Sequence, residues 1–391
     1  MATRMRFVHC GGFQIDNPLW EGPEEWATFR NEDLWHTFEA VLNLCRTEKV
    51  DCLFISGDLF EQEYVRNETI KCVVKKLAQL KGTRIFIAPG KKDPLVSTSV
   101  YRLALWPDNV HIFSKGISSV KISTLNVTIY GAGWTAYRQE VPFLDGFHTT
   151  NDGTYQLMLI HAAVNTIENQ NTKFRTIMPE QIAASGLDYL ALGYQEEWSG
   201  ILQSGRTFWA DCGSPEARSF REKGPHGVVI GEINDERSAR FEFRELGQRR
   251  YVEKGFSVPT DIEVLAKKIL AETCISEQQR DLFRIKLSGA VSKKEAADNV
   301  QRLKKLLANK ISFLEIVSDE RELAKSVLQV PTSFSQRAID AEDFPTLQQV
   351  FCDHLSERLA TAENDEKLEH WNLVRKIGLA ALEQGRENHE D

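Results

Sequence analysis

Five short stretches put polar or turn-forming residues directly after apolar runs: "FVHCGGFQID" (7–16), "FISGDLFEQ" (54–62), "IAPGKKDP" (87–94), "LMLIHAAV" (157–164) and "GYQEEW" (193–198). Ends of buried strands that break at Gly are where α/β proteins place their chemistry. The side chains brought there include Asp58 after Gly57, His161 closing an apolar run, Tyr194 and Glu196 past Gly193, and Asp16 and Asp93 nearby. Carboxylate oxygens and a neutral imidazole are ligands for divalent cations. Each also has an ordinary structural use: Asp58 as a turn or cap residue, His161 as a satisfied core histidine. Lys91 and Lys92 carry ammonium groups to the same edge, which is unusual company for a cation site.

The elements that position these loops follow from periodicity. Apolar runs predict strands over 5–10, 50–56, 84–88, 110–113, 127–131, 155–161, 189–193, 207–210 and 227–233. Leu34, Phe38, Val41, Leu42 and Cys45 fall on one face of a helix over 31–48, and Ile70, Val73, Val74, Leu77 and Leu80 on one face of a second over 68–81. Strands alternating with helices, with loops gathered along one edge of the sheets, predict a layered α/β domain over 1–250. A second unit over 255–330 alternates a helix at 260–272, a strand at 282–288, a helix at 293–307 and a strand at 313–317, a small α/β domain. Beyond it, 335–391 reads as amphipathic helices over 344–361 and 367–383 and a solvated tail.

A chain of 391 residues is too long for one small core. No hydrophobic span has the length of a signal or membrane segment, so the expectation is a soluble, intracellular, cytoplasmic protein. The seven cysteines are scattered without a CxxC pair, which suits reduced core thiols better than disulfides or a zinc knuckle. A net charge of −8 argues against indiscriminate coating of nucleic acid and leaves room for a local basic face.

The five loops, in this order, resemble the signature loops of the calcineurin-like metallophosphoesterase superfamily, and most closely its SbcD-type DNA repair exonuclease subfamily. That family reads D-x-H after the first strand, then G-D, G-N-H-D, H and G-H-x-H. This chain has Gly12 and Gln14, Gly57 and Asp58, Gly90 to Asp93, His161, and Gly193 to Glu196 in their places. The segments "DNVHIF" (108–113), "DYLALG" (188–193) and "GSPEARSFREKGPHGVVI" (213–230) look like the family's connectors. The resemblance spans about residues 5 to 245, and implies a metallophosphoesterase-like β-sandwich flanked by helices. The 255–330 unit resembles the family's capping domain more weakly.

Carried over position by position, the resemblance implies metal ligands at 12, 14, 58, 91, 161, 194 and 196, and a phosphate-contacting histidine at 92. Only Asp58 and His161 are retained. Gly12 has no side chain, Gln14 is a weak amide ligand, Tyr194 would need a depressed pKa, and Glu196 offers a carboxylate. An ammonium group about 4 Å from a divalent ion, at an effective dielectric of about 20, is repelled by about 8 kcal/mol. That matches the whole binding free energy of a micromolar site, about 8 kcal/mol. A two-metal centre is therefore not expected, and Lys91 or Lys92 is expected to pair with Asp58, with Glu196 as a further partner.

The leading expectation is a catalytically degenerate SbcD-like subunit, without a cofactor, serving as a scaffold or DNA-end-binding partner of an SbcC-type coiled-coil ATPase, with a homodimer open. The alternative is an active metal-dependent phosphodiesterase or nuclease using one manganese or magnesium ion on Asp58, His161 and Glu196, with Lys92 on the phosphate. A third reading is nucleic-acid binding through Arg249, Arg250, Lys254, Lys304, Lys305 and Lys310, against their ordinary use as a solvated face.

Overall fold

The computed structural model describes residues 4–137, 144–150, 152–165, 176–234, 239–258, 261–289, 293–318 and Trp371. In chain order the elements are β1 (Arg4–Cys10), α1 (Trp26–Thr47), β2 (Cys52–Ile55), α2 (Asn67–Ala78), β3 (Arg84–Ile87), α3 (Val100–Leu103), β4 (Val110–Ile112), β5 (Ser118–Ile122) and β6 (Val127–Ala132). There follow β7 (Tyr155–Ile160), β8 (Ala163–Val164), β9 (Thr176–Ile177), α4 (Pro179–Ala184), β10 (Tyr189–Leu192), β11 (Leu202–Ser204), β12 (Thr207–Asp211), β13 (Gly227–Asn234) and β14 (Ala239–Glu245). The last are β15 (Tyr251–Ser257), α5 (Ile262–Ala271), α6 (Ile275–Arg280), β16 (Leu282–Ser288), α7 (Lys293–Leu307) and β17 (Phe313–Ser318).

Two mixed six-stranded sheets form a sandwich, one in the order β14-β13-β1-β2-β3-β4 and the other β11-β12-β10-β7-β6-β5. Alternation along each strand divides its side chains between two cores. Phe7, Phe54 and Phe86 point between the sheets, where they meet Ile129, Leu157, Leu159, Tyr189 and Ala191. Val8, Leu53, Ile55, Ile85 and Ile87 point outward onto Leu34, Phe38 and Val41 of α1 and Val73 and Leu77 of α2. The fold class is therefore a layered α/β sandwich flanked by helices.

Topology sets the site. Strands β1, β2 and β3 are mutually parallel, as are β7, β10 and β12. Their carboxyl ends lie side by side within each sheet, and the loops that leave them gather at one edge of the sandwich.

Each strand expected between residues 5 and 233 is present, its ends moved by no more than two residues. Helix α1 starts at Trp26, ahead of the expected 31, because tertiary contacts hold its first turns: Trp26 packs on Phe220 at 6.4 Å and Phe29 on Phe313 at 4.7 Å between ring centroids. Strands β5, β8, β9, β11, β14 and β15 and helices α3, α4 and α6 were not expected. In β14 Phe241 and Phe243 pack on the inter-sheet core from between Arg and Glu residues, an alternation hidden by its charge.

A separate parallel sheet, β15-β16-β17, carries its own core of Phe256, Ile269, Phe283, Ile285, Leu303 and Ile316 beneath α5 and α7. Its first strand begins at Tyr251, so the boundary expected near 255 falls inside a strand. Tyr251 and Leu282 join Trp26, Ala217 and Phe220 in a shared cluster with the sandwich. The fully buried Arg30 braces this junction, pairing with Asp33 at 2.7 Å and Glu216 at 2.8 Å. The described residues up to Ser318 belong to one compact unit. The helices expected over 344–361 and 367–383 lie outside the described residues, Trp371 excepted.

Candidate functional site

The first two loops are zipped together by backbone. Gly12 N–H donates to Gly57 O at 2.9 Å and Gln14 N–H to Asp58 O at 2.7 Å. Gln14 and Asp58 both sit in the left-handed region, at φ 45° and 53°. Non-glycine residues there are uncommon, and such strain clusters at functional loops. Gly57 has φ 97°, and a Cβ there would stand 2.4 Å from the His161 ring, so the loop approaches the histidine as closely as backbone allows.

The third loop is built around Asp93, which is fully buried. Its Oδ1 accepts the amides of Asp58 at 3.0 Å and Gly90 at 2.7 Å; its Oδ2 accepts those of Leu59 at 2.7 Å and Phe60 at 3.1 Å and the Tyr101 hydroxyl at 2.5 Å. Burial and the charge of Asp58 push its pKa up to about 6, against the pull of the donors. Asp93 was expected only as a nearby acid; it is the post that ties the second and third loops.

Asp58 lies within. Its Oδ1 accepts the Lys92 amide at 2.7 Å, and its Oδ2 stands 3.6 Å from His161 Nε2. Burial raises Asp58 to about 7, and the Lys92 amide and the ammonium groups of Lys92 and Lys91 counter it. His161 Nδ1 faces Ser56 O at 3.1 Å, and a carbonyl only accepts, so the proton of the neutral ring is on Nδ1 and Nε2 turns a lone pair to Asp58. Burial lowers the ring to about 4, so it is neutral at pH 7.

The fifth loop is held by Asp211, whose Oδ2 accepts the amides of Tyr194 at 3.0 Å and Gln195 at 2.8 Å. Burial pushes Asp211 up to about 7. Tyr194 lays its ring beside that of His161, 5.3 Å between centroids, so it packs on the retained histidine. Glu196 is exposed, and its charge is felt by Glu222, whose carboxyl is raised mainly by burial and then by Glu196.

The lysines correct the expected pairing. Neither ammonium group pairs with Asp58: Lys92 Nζ reaches Glu61 at 3.0 Å, while Lys91 is exposed. Glu61 is nearly buried, and a carboxylate that has lost its water needs a cation in exchange. Asp16 is likewise taken up elsewhere, with Arg66 at 3.2 Å. Asp211 and Glu61 were not foreseen. Asp211 had a signal, an apolar strand closed by an acid just ahead of Gly213, the pattern that marked Asp58.

Half of the basic residues expected to face nucleic acid are spent within the chain. Arg249 pairs with Asp33 at 2.8 Å and lies over Phe313, Arg250 pairs with Glu245 at 2.6 Å, and Lys254 donates to Glu272 O at 2.7 Å. Lys304, Lys305 and Lys310 remain exposed.

Together the loops line a cleft of about 550 Å³ whose wall includes Gly12, Gln14, Asp58, Lys91, Lys92 and His161 from the first four loops and Tyr194 and Glu196 from the fifth. Thus the positions drawn from the sequence do converge on one site. Its donor set does not fit a two-metal centre: among the described residues no group of three or more His, Cys, Asp and Glu side chains could hold a metal ion. Gly12, at φ 68°, puts only backbone where the resemblance implies a carboxylate.

No protein-family model matches the chain. Its sequence is similar to that of YhaO of Bacillus subtilis (strain 168), an uncharacterized metallophosphoesterase, with 23% identity over 247 residues, 60% of this chain and 59% of that relative. The match thus spans less than two thirds of the relative's length. Solved structures similar to it include TT1561 of Thermus thermophilus, at 10% identity and a TM-score of 0.38 over 61% of this chain and 98% of that one. Another is the purple acid phosphatase PPD1 of yellow lupin (Lupinus luteus), at 13% identity and 0.39 over 63% and 52%. The sequence similarity is thus to a metallophosphoesterase. No helix among the described residues is long and apolar enough to cross a membrane.

Proposed function

We propose that this chain is a metallophosphoesterase-like subunit that has lost two-metal phosphodiester chemistry and acts as a scaffold or DNA-end-binding partner of an SbcC-type coiled-coil ATPase. The observation that carries the loss of chemistry is the donor set at the loop ends. Asp58 and His161 remain, Lys92 is bound to Glu61, Tyr194 covers the histidine ring, and Gly12 has no side chain to offer. Two divalent ions need about twice as many oxygen and nitrogen ligands, held in open coordination. The partner and the DNA end come from the resemblance of the five ordered loops to the SbcD-type subfamily.

The second reading, a phosphodiesterase on one metal ion, draws on one observation: Asp58 Oδ2 and the lone pair of His161 Nε2 face each other at 3.6 Å. It needs Glu196 as a third ligand, and Glu196 is exposed at the cleft, its charge acting on Glu222.

Calorimetric titration with manganese, and a manganese-dependent nuclease assay on single- and double-stranded ends with Asp58→Ala as control, test the first part. The expected result is no micromolar binding at two sites and no cleavage that the control abolishes. Two tight sites, or activity lost in Asp58→Ala, refute it. Co-purification with a coiled-coil ATPase, with and without residues 335–391, tests the partnership; no association of the full chain refutes that part alone.

A further inference from the structure

The cleft has more hydrogen-bond donors than its own acceptors use. Nearly all its acids are already engaged. Asp58 Oδ1 accepts the Lys92 amide at 2.7 Å, and Glu197 Oε1 the Lys223 amide at 2.8 Å. Glu222 accepts from the Ser214 hydroxyl at 3.0 Å, the Ser219 hydroxyl at 3.1 Å and the Arg218 amide at 3.0 Å. Only the carboxylate of Glu196, at the exposed rim, takes no donor among the described residues.

The donors are in the opposite condition. The ammonium group of Lys91, the guanidinium of Arg221, the Tyr194 hydroxyl and the side-chain amide of Gln195 all line the cleft, and none has an acceptor among the described residues. Gln14 is held with Asn17 Nδ2 on its Oε1 at 2.8 Å, so the end of Gln14 left over is its NH₂ group, another donor. Charged and neutral donors around one space match an anion with several acceptor oxygens, and charge-assisted bonds to such an anion are the strong kind.

We propose that the cleft binds a phosphate group directly, without a metal ion, with Lys91 and Arg221 as its charged contacts and the Gln14 amide as a neutral one. A volume of about 550 Å³ accommodates a ligand of nucleotide size. The phosphate is either the terminus of a nucleic-acid strand or a free phosphate or nucleotide; the recognising chemistry is the same. The proposal rests on the reading that the loops no longer hold two metal ions, and fixed cations on the protein then supply the charge neutralisation.

The test uses the full chain in EDTA. Inorganic phosphate is titrated by calorimetry, and short labelled duplexes with 5′-phosphate or 5′-hydroxyl ends by fluorescence anisotropy. Both charged contacts are exposed, so Lys91→Ala and Arg221→Ala remove them without opening a core. The expected result is binding in EDTA that each substitution weakens about tenfold to a hundredfold, with Lys91→Arg keeping most of it. Preference for the phosphorylated end, with inorganic phosphate competing, identifies a strand terminus; phosphate binding with no preference between duplexes identifies a free phosphate. Absence of binding in EDTA, or binding unchanged in both alanine variants, overturns the proposal. Binding restored only by manganese refutes it together with the metal-free reading, whereas no binding with or without manganese refutes the phosphate site alone.

Discussion

Gly90→Ala is the sharpest probe of how the loops are packed. A Cβ at this position would lie 2.3 Å from Asp58 Oδ1, 2.7 Å from Asp58 N and 2.9 Å from His161 Nδ1. Turning the Asp58 side chain relieves only the first contact, because the second is with backbone that Asp93 holds at 3.0 Å. The loop must therefore retreat, and overpacking of this kind costs about 1–3 kcal/mol. The bond from the Lys92 amide to Asp58 Oδ1, at 2.7 Å, is lost or lengthened with it, about 1.5–3 kcal/mol for a charged acceptor. The lower entropy of the unfolded alanine chain returns about 0.4–1 kcal/mol. The net loss is about 1.5–5.5 kcal/mol, which at about 2 °C per kcal/mol lowers the thermal midpoint by roughly 3–11 °C. Gly82→Ala is the control, since nothing lies within 4 Å of a Cβ there. Scanning fluorimetry of both variants decides the matter: if Gly90→Ala melts within about 1 °C of Gly82→Ala, the close packing of the second, third and fourth loops described above is wrong.

Arg30→Ala should cost about 3–5 kcal/mol in denaturant unfolding, because it leaves Asp33 and Glu216 buried without their shared cation; a loss under about 1 kcal/mol would refute that role. A double-mutant cycle of Lys92→Ala and Glu61→Gln should give a coupling of about 1 kcal/mol, kept small by the 41% exposure of the lysine side chain, and no coupling would mean the pair does not form in solution. Stability should also depend on pH. Asp58 and Asp211, raised to about 7, and Asp93, raised to about 6, hold protons in the folded chain that an unfolded carboxylate near 3.8 has shed, so their contribution falls as pH rises toward 7 and levels off above it. His9 and His161, lowered to about 3 and about 4, act oppositely: below pH 6.5 the unfolded chain takes up the protons, so stability falls as pH falls. The folded chain should thus lose about 1 kcal/mol between pH 6.5 and pH 8, the histidines returning part of what the carboxylates lose. A thermal midpoint that rises from pH 6.5 to pH 8 contradicts this assignment.

The resemblance of the loops placed Asp58, His161, Lys91, Lys92, Tyr194 and Glu196 in one site, and the fold brings all of them to one cleft. What that reading missed was partner choice. The ammonium group of Lys91 or Lys92 was expected on Asp58; that of Lys92 is on Glu61 and Lys91 is exposed, because the carboxylate of Asp58 is already occupied by backbone amide and faces the histidine. Asp93 and Asp211 were not recognised as the residues that hold the loops, since nothing in a sequence shows how many amides converge on one buried carboxylate.

By itself the sequence determined the buried strands between residues 5 and 233, the helices α1, α2, α5 and α7 and the loop glycines, because side-chain period and backbone freedom are properties of neighbouring residues. It also determined which ligand types are missing, since Gly12 cannot supply a carboxylate in any fold. The tertiary structure decided the order of strands in the two sheets, the joining of the β15-β16-β17 sheet through Arg30 and Tyr251, and which charges are spent internally. Those outcomes depend on distances of a few ångströms between segments remote in the chain, and on which buried groups lose water together.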